Sequence, residues 1–420
     1  MQGAQVNSGT AIASRKAPSI ELAHILGTHA DAYMQHHPVS SQQRKVFRDI
    51  LHCRTPSLGG HLESCGNGCG YERLSFHSCR NRHCPKCQSL QKVRWVLERS
   101  QKLLPTSYFH VVVTLPHDLN PLILRNRERL YNLLFEAASR GLSELATGWK
   151  RLGAQPGFTA ILHTWTQELR FHVHLHLVVT AGGLSLSGDR WIPAKNNFLV
   201  PVRALAKMVR GKFLDGLYEA FEQDALCFSG KITHWKNVAV FKRLVRKLRR
   251  TKWVVYAKPP FNGPRHVFSY LGHYTHRVAI SNQRLVGFDG QTVTFRARNN
   301  EKPGSYRLVD LPALEFIRRF LLHVLPKGFI RIRHFGLMAS RNVKTKLGQA
   351  YRLLQASHPM AHALPAEEHL INWQQLLLKL TGIDLTICPN CGGTIRRKPL
   401  PQILPFAAFT TLSVPVLDTS

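Results

Sequence analysis

The sequence predicts a mixed strand-and-helix domain, α/β or α+β, across roughly residues 105–285, preceded by a small metal-stapled module. Three observations predict it. Short apolar runs at strand period alternate with longer runs at helical period. Six of the nine cysteines crowd between Cys53 and Cys87. Fifty-seven Lys and Arg stand against 24 Asp and Glu, for a formal net charge of +33.

A charge excess this large, spread along the whole chain, favours a polyanionic partner. Nucleic acid is preferred to a membrane surface, because no amphipathic basic segment dominates. The N-terminal stretch has no apolar core of signal-peptide length, and no apolar run reaches the ~18 residues of a membrane span. The expected setting is therefore a reducing cytoplasm. There, a cysteine cluster reads as metal ligands rather than disulfides.

Along the chain, residues 19–52 read as helix. Residues 53–88 are the metal module, and a helix follows from Ser89 to Leu103. Tyr108–Leu115 is a strand that ends at Pro116. Phe158–Trp165 and Phe171–Thr180 form a hairpin around Thr166-Gln-Glu-Leu-Arg170. Helices fill 122–146 and 202–225. The strand Trp253-Val-Val-Tyr256 ends at Pro259-Pro260, and Pro264 opens a helix that runs to about Ala279. Val286–Ala297 is a hairpin with Asp289-Gly290 at its turn. Residues 311–325 and 364–382 are helical, Cys388-Pro-Asn-Cys391 forms a knuckle, and the tail beyond about 400 is poorly ordered. The densest charge run, Lys242–Lys252, reads as a phosphate-contacting helix.

Zinc takes four soft or borderline ligands in a tetrahedron, and two-residue gaps such as Cys84-Pro-Lys-Cys87 aim both thiolates at one ion. The module offers Cys53, His61, Cys65, Cys69, His77, Cys79, His83, Cys84 and Cys87. Pairing Cys65/Cys69 with Cys84/Cys87 completes one site. Cys53, His61, Cys79 and His83 supply a second, with His77 as a substitute. One or two zinc ions are expected. Cys388 and Cys391 offer two ligands, half of a site. Arg80, Arg82 and Lys86 in the module suit DNA contact.

In a strand, residues two apart share a face, so His172, His174 and His176 point the same way while Phe171, Val173, Leu175 and Leu177 fill the other face. Three imidazoles on one face of an apolar strand call for charge or metal to satisfy them. Imidazole nitrogens in a partly open site of this kind suit Mn²⁺, a Mg²⁺-like ion or Zn²⁺, with Mg²⁺ or Mn²⁺ the expected ion. Gln167 is the expected third ligand; His163 competes for the place and Glu168 is weaker.

Tyr270 and Tyr274 stand four apart on the predicted helix and share its face. Arg265, His266, His273, His276 and Arg277 surround them. Cations and a metal that hold a phosphate would turn such a phenol into a nucleophile. No GxxxxGK phosphate loop is visible, so no helicase engine is built in and a host helicase is an expected partner.

Three blocks together resemble one family. They are Ser78-Cys-Arg-Asn-Arg-His-Cys-Pro-Lys-Cys87, then His172-Val-His-Leu-His176 followed by Gly182-Gly183, then Tyr270-Leu-Gly-His-Tyr274 running on to Asn282. In this order they are similar to the rolling-circle transposases of the insertion-sequence-ninety-one type, within the HUH (His-hydrophobe-His) endonucleases. Arg331-Ile-Arg-His-Phe-Gly336 is similar to that family's C-terminal block.

The resemblance implies an α+β, ferredoxin-like core, an antiparallel sheet with helices on one face, whose central strand carries the His pair. It implies His174 and His176 as metal ligands and Tyr270 and Tyr274 as nucleophiles. Single-stranded DNA would be cleaved at element ends through a 5′-phosphotyrosine, on the bacterial nucleoid, with single- and double-stranded DNA as partners. The implied layout is a helical segment over 1–50, the zinc module over 51–100, the core over 101–285, a C-terminal region over 286–400 and a tail. A replication initiator or relaxase shares the His and tyrosine chemistry. A non-enzymatic zinc regulator accounts for the charge and cysteines but not for the His strand. The first zinc knuckle is longer than the family's, and His273 stands where it has Arg.

Overall fold

The computed structural model describes residues 20–87, 95, 102–148, 151–195, 198–261, 279–299, 302, 304–357, 374–375, 378 and 382–402. Two helices come first among the described residues, α1 (Leu22–His36) and α2 (Ser41–Leu51). Helical spacing predicts one helical stretch across 19–52. Pro38 breaks it, because proline holds the preceding residue out of the helical region, and His37 is extended at φ −136°. Ser40 then starts α2 with a reciprocal cap. Gln43 N donates to Ser40 Oγ at 3.2 Å, and Ser40 N donates to Gln43 Oε1 at 2.9 Å.

The cysteine module carries β1 (Gly60–Cys65) and β2 (Glu72–Phe76). The sheet domain follows, with β3 (Tyr108–Thr114), α3 (Asn120–Arg125), α4 (Arg127–Thr147), β4 (Ala154–Gln155), β5 (Gly157–Trp165) and β6 (Phe171–Thr180). Next come β7 (Gly182–Ser185), β8 (Trp191–Pro193), α5 (Val202–Glu222), α6 (Val238–Arg250) and β9 (Val254–Phe261). The C-terminal part adds β10 (Leu285–Phe288), β11 (Thr292–Arg298), β12 (Tyr306–Pro312), α7 (Ala313–Leu321), β13 (Ile332–Gly336), α8 (Gly348–Ser357) and β14 (Ile395–Leu400). None of the described helices is long and apolar enough to cross a membrane.

Five strands form the main sheet in the order β13-β5-β6-β3-β9, and every neighbouring pair is antiparallel. This is the expected α+β class, with β6 in the centre. Strand alternation decides which side is dry. Phe109, Val111 and Val113 of β3, Phe158, Ala160 and Leu162 of β5, and Val173, Leu175, Leu177 and Val179 of β6 join one core with α4, α5 and α6. The opposite face carries His110, His163, His174 and His176. The far end of that face is apolar, where Tyr108, Ile161 and Val178 meet Leu347, Ala350 and Leu354 at and beside α8.

Two sheet details depart from the sequence reading. β9 runs through Pro259-Pro260 rather than stopping at them. It is an edge strand, where a missing N–H costs no ladder bond, and its register with β3 shifts between Tyr108 and His110. The fifth strand, β13, comes from 332–336, beyond the 101–285 span expected for the core, and pairs Phe335 with Phe158. Arg331–Gly336 thereby becomes part of the sheet.

A second core joins α1, α2, β10–β12 and α7 to Cys53, Cys84 and Cys87 and to Leu169, at the tip of the β5–β6 hairpin. The basic helix α6 buries Phe241, Val245 and Leu248 in the helical layer and turns Lys242, Arg243 and Arg246 to solvent. Its Lys247 pairs with Asp118 at 2.5 Å and Arg249 with Asp215 at 3.3 Å. Its cations lie on the side of the sheet away from the histidines.

Candidate metal centres and active site

The hairpin β5–β6 builds the histidine site. His163 and His174 are directly paired across its ladder, so their side chains leave the sheet on one face, and His176 follows two residues on. Ligand nitrogens of these three residues all lie within 4.8 Å of one another. His174 Nε2 and His176 Nε2 are 3.1 Å apart. Two cis nitrogens, each about 2.1 Å from one ion, stand ~3.0 Å apart, so the pair fits a shared divalent cation.

All three are nearly covered, at 4%, 9% and 6% exposure for His163, His174 and His176. Burial, and then the neighbouring His172, hold His174 down to about 4. Its imidazole is therefore neutral, the form that ligates, at physiological pH. His174 Nδ1 lies 3.0 Å from His172 O, a bond it makes as donor, which leaves Nε2 as the atom that could hold a metal. His163 is stacked on Trp165, with ring centroids 4.7 Å apart.

The third imidazole of the group is His163, the candidate expected to compete with Gln167. Gln167 sits at the hairpin tip, where its backbone carbonyl accepts a hydrogen bond from Arg284. Glu168 pairs with Arg170 at 2.9 Å and with Arg307. His172 does not join its two neighbours either. It turns to His117, with Nδ1 2.8 Å from His117 Nε2.

The sequence reading missed His110, on the adjacent strand β3, whose Nε2 is 2.9 Å from His176 Nδ1. That contact orients the His176 ring from behind. The available signal was a lone histidine in the apolar strand Tyr108-Phe-His-Val-Val-Val.

The cysteines form two tetrads, and both differ from the expected pairing. Cys53, Cys79, Cys84 and Cys87 gather in one group. Cys87 Sγ is 3.4 Å from Cys53 Sγ and 3.6 Å from Cys79 Sγ. Cys65 and Cys69 do not meet Cys84 and Cys87. They meet Cys388 and Cys391 instead.

Neither histidine expected in the second site is a member of a tetrad. His83 is buried, and its Nε2 accepts Leu325 N–H at 3.4 Å. Burial, then Arg331 and Arg82, hold it at about 3, neutral and occupied as an acceptor. His61 Nε2 lies 3.3 Å from Glu63 Oε1, and its ring tilts toward His77. Sequence spacing weighted every His and Cys alike; the fold uses thiols alone, which suits a closed structural zinc site.

Of the cations assigned to DNA, Arg80 is exposed. Arg82 donates to Phe329 O at 2.6 Å and ties the module to the sheet domain. Lys86 pairs with Glu21 at 2.5 Å. Tyr270, Tyr274, Arg265 and Arg277 lie outside the described residues, as do most of the helices expected over 89–103, 264–279 and 364–382.

Known proteins similar to this chain are transposases. Residues 157–346 match a family model described as "Putative transposase", and residues 25–115 match the IS91 "Transposase zinc-binding domain". The chain is 43% identical over 372 residues to "Putative transposase y4qJ" of Sinorhizobium fredii, spanning 88% of this chain and 92% of that one. It is 29% identical over 350 residues to the transposase for insertion sequence element IS801 of Pseudomonas savastanoi pv. phaseolicola, spanning 82% and 80%. No solved structure matches. With both domains matched in order and nearly the full length of a relative aligned, the chain belongs to the IS91-type family of DNA transposases.

Proposed function

We propose that this transposase nicks single-stranded DNA by tyrosine attack, at a divalent ion held by His174, His176 and His163. The observation that carries the reading is the convergence of three buried imidazoles on one face of the central strands. A bound Mg²⁺ or Mn²⁺ would polarise the scissile phosphate and offset the charge that builds there. His110 keeps His176 oriented, and burial keeps His174 unprotonated.

Tyr270 or Tyr274 supplies the nucleophile in this reading. Its phenolate oxygen bonds to phosphorus, the P–O3′ bond breaks, and the products are a 5′-phosphotyrosine and a 3′-hydroxyl. The ester conserves the energy of the DNA linkage, so strand transfer needs no ATP. Support comes from the ends of the intervening segment. Phe261 closes β9 beside Tyr108 at one end of the sheet. Ala279 resumes at the other end, where Arg284 reaches both Ala279 O and the carbonyl of Gln167. The described ends of the tyrosine segment thus bracket the histidine-bearing sheet.

The test is to incubate the protein with single-stranded element-end DNA and Mn²⁺ and to look for a denaturation-resistant protein–DNA adduct. Wild type should form it. An adduct that persists when Tyr270→Phe and Tyr274→Phe are combined overturns the tyrosine assignment. Zinc-dependent DNA binding without an adduct on any strand favours a regulator.

A further inference from the structure

We propose that Cys65, Cys69, Cys388 and Cys391 bind a second zinc ion, which clasps the C-terminal strand β14 onto the N-terminal module. The matched zinc-binding domain ends at residue 115, so half of this site lies outside it.

The four thiols come from two knuckles that meet face to face. In the first, Asn67 N–H donates to Cys65 Sγ at 3.4 Å, and Gly68 and Gly70 take positive φ of 70° and 83°. In the second, Cys388 N donates to Gly393 O at 2.6 Å, and Gly392 has φ of 74°. Such turns aim both sulfurs of a knuckle the same way. The knuckles touch through Gly66 N, which donates to Thr394 O at 2.8 Å. A Cβ on Gly393 would come within 2.5 Å of Asn67 Nδ2, so the two knuckles lie close together there.

Sulfur spacing favours a metal. Cys65 Sγ to Cys391 Sγ is 3.4 Å, Cys69 Sγ to Cys388 Sγ is 3.5 Å, and all four fall within 4.8 Å. Four thiolates at ~2.3 Å from one tetrahedral ion stand ~3.8 Å apart, whereas disulfide sulfurs would be bonded at ~2.05 Å. Every ligand is a thiolate and none is a histidine or carboxylate, the donor set of a closed structural site.

The surrounding sheet needs such a staple. β14 pairs with β1 from Ile395 opposite Cys65 to Leu400 opposite Gly60. None of the described residues of β1, β2 or β14 belongs to a hydrophobic cluster, and Leu74 is 58% exposed. The other tie is ionic. Glu63, only 6% exposed, accepts Arg397 Nε at 3.1 Å and faces Arg73 at 3.7 Å. A three-stranded sheet without an apolar face is marginal in water unless metal or covalent links hold it.

The experiment is metal analysis of the full chain by native mass spectrometry and elemental assay, with differential alkylation of thiols before and after chelation. Two zinc ions per chain are expected, with all eight tetrad cysteines protected until chelation. The Cys388→Ser/Cys391→Ser double variant should keep one zinc, expose Cys65 and Cys69 to alkylation, and become sensitive to protease between α8 and β14. One zinc in wild type with Cys65, Cys69, Cys388 and Cys391 freely alkylated overturns the proposal. So do disulfides among these four, iron in place of zinc, or a double variant that still holds two zinc ions. Wild-type alkylation alone decides the matter if the variant fails to fold.

Discussion

His163 of β5 and His174 of β6 are directly opposed residues of one antiparallel ladder. That register turns a His-x-His strand into a three-imidazole site, because the neighbouring strand contributes the third nitrogen from the same face.

The first prediction separates the two candidates for third ligand. His163→Ala should abolish adduct formation at limiting Mn²⁺ and partly recover at high Mn²⁺. Gln167→Ala should leave the metal dependence within about twofold. A metal titration of nicking rate checks both, and the reverse order would give the place to Gln167.

A second prediction concerns His110. It touches His176 and is absent from the three-imidazole group. His110→Phe should weaken metal binding about 10–100-fold, the usual cost of losing an outer partner, while saturating metal restores most of the rate. An unchanged metal dependence would reduce His110 to packing.

Arg80 and Arg82 should behave differently although both were read as DNA contacts. Arg80→Ala should lower the slope of log affinity against log salt by about 0.7–0.9, with no change in melting temperature. Arg82→Ala removes a donor to Phe329 O and should cost about 1–3 kcal/mol of stability. Salt-dependent binding and thermal melts, run together, distinguish the roles.

The fourth prediction is a pH dependence of stability. His323 is 2% exposed, accepts from Thr164 Oγ1 at 3.2 Å and donates to Leu169 O at 3.0 Å. Burial lowers it from its ordinary 6.5 to about 4. Below 6.5 the unfolded chain takes up a proton that the folded chain refuses, so this contribution is complete above 6.5 and is lost as pH falls toward about 4. Melting temperature should therefore fall across that window. His323→Gln should flatten the fall, and an unchanged slope would show that His323 does not carry it.

What is local is legible in the residues themselves. The strand His172–Leu177 declares its two faces through period two, and the hairpin around Thr166–Arg170 is set by the short polar connection between its strands. Each Cys pair declares a knuckle by its spacing, and the motif order identifies the family. Long-range packing sets which knuckles meet, that His163 rather than His172 completes the imidazole group, and that β13 closes the sheet. Range separates the two. Spacing within a turn or strand is dictated by backbone geometry over a few residues, whereas Cys65 meets Cys391 through the pairing of β1 with β14 across most of the chain. Loop entropy changes only slowly with such separations, so no local pattern marks the partner, and side-chain burial and strand register make the choice.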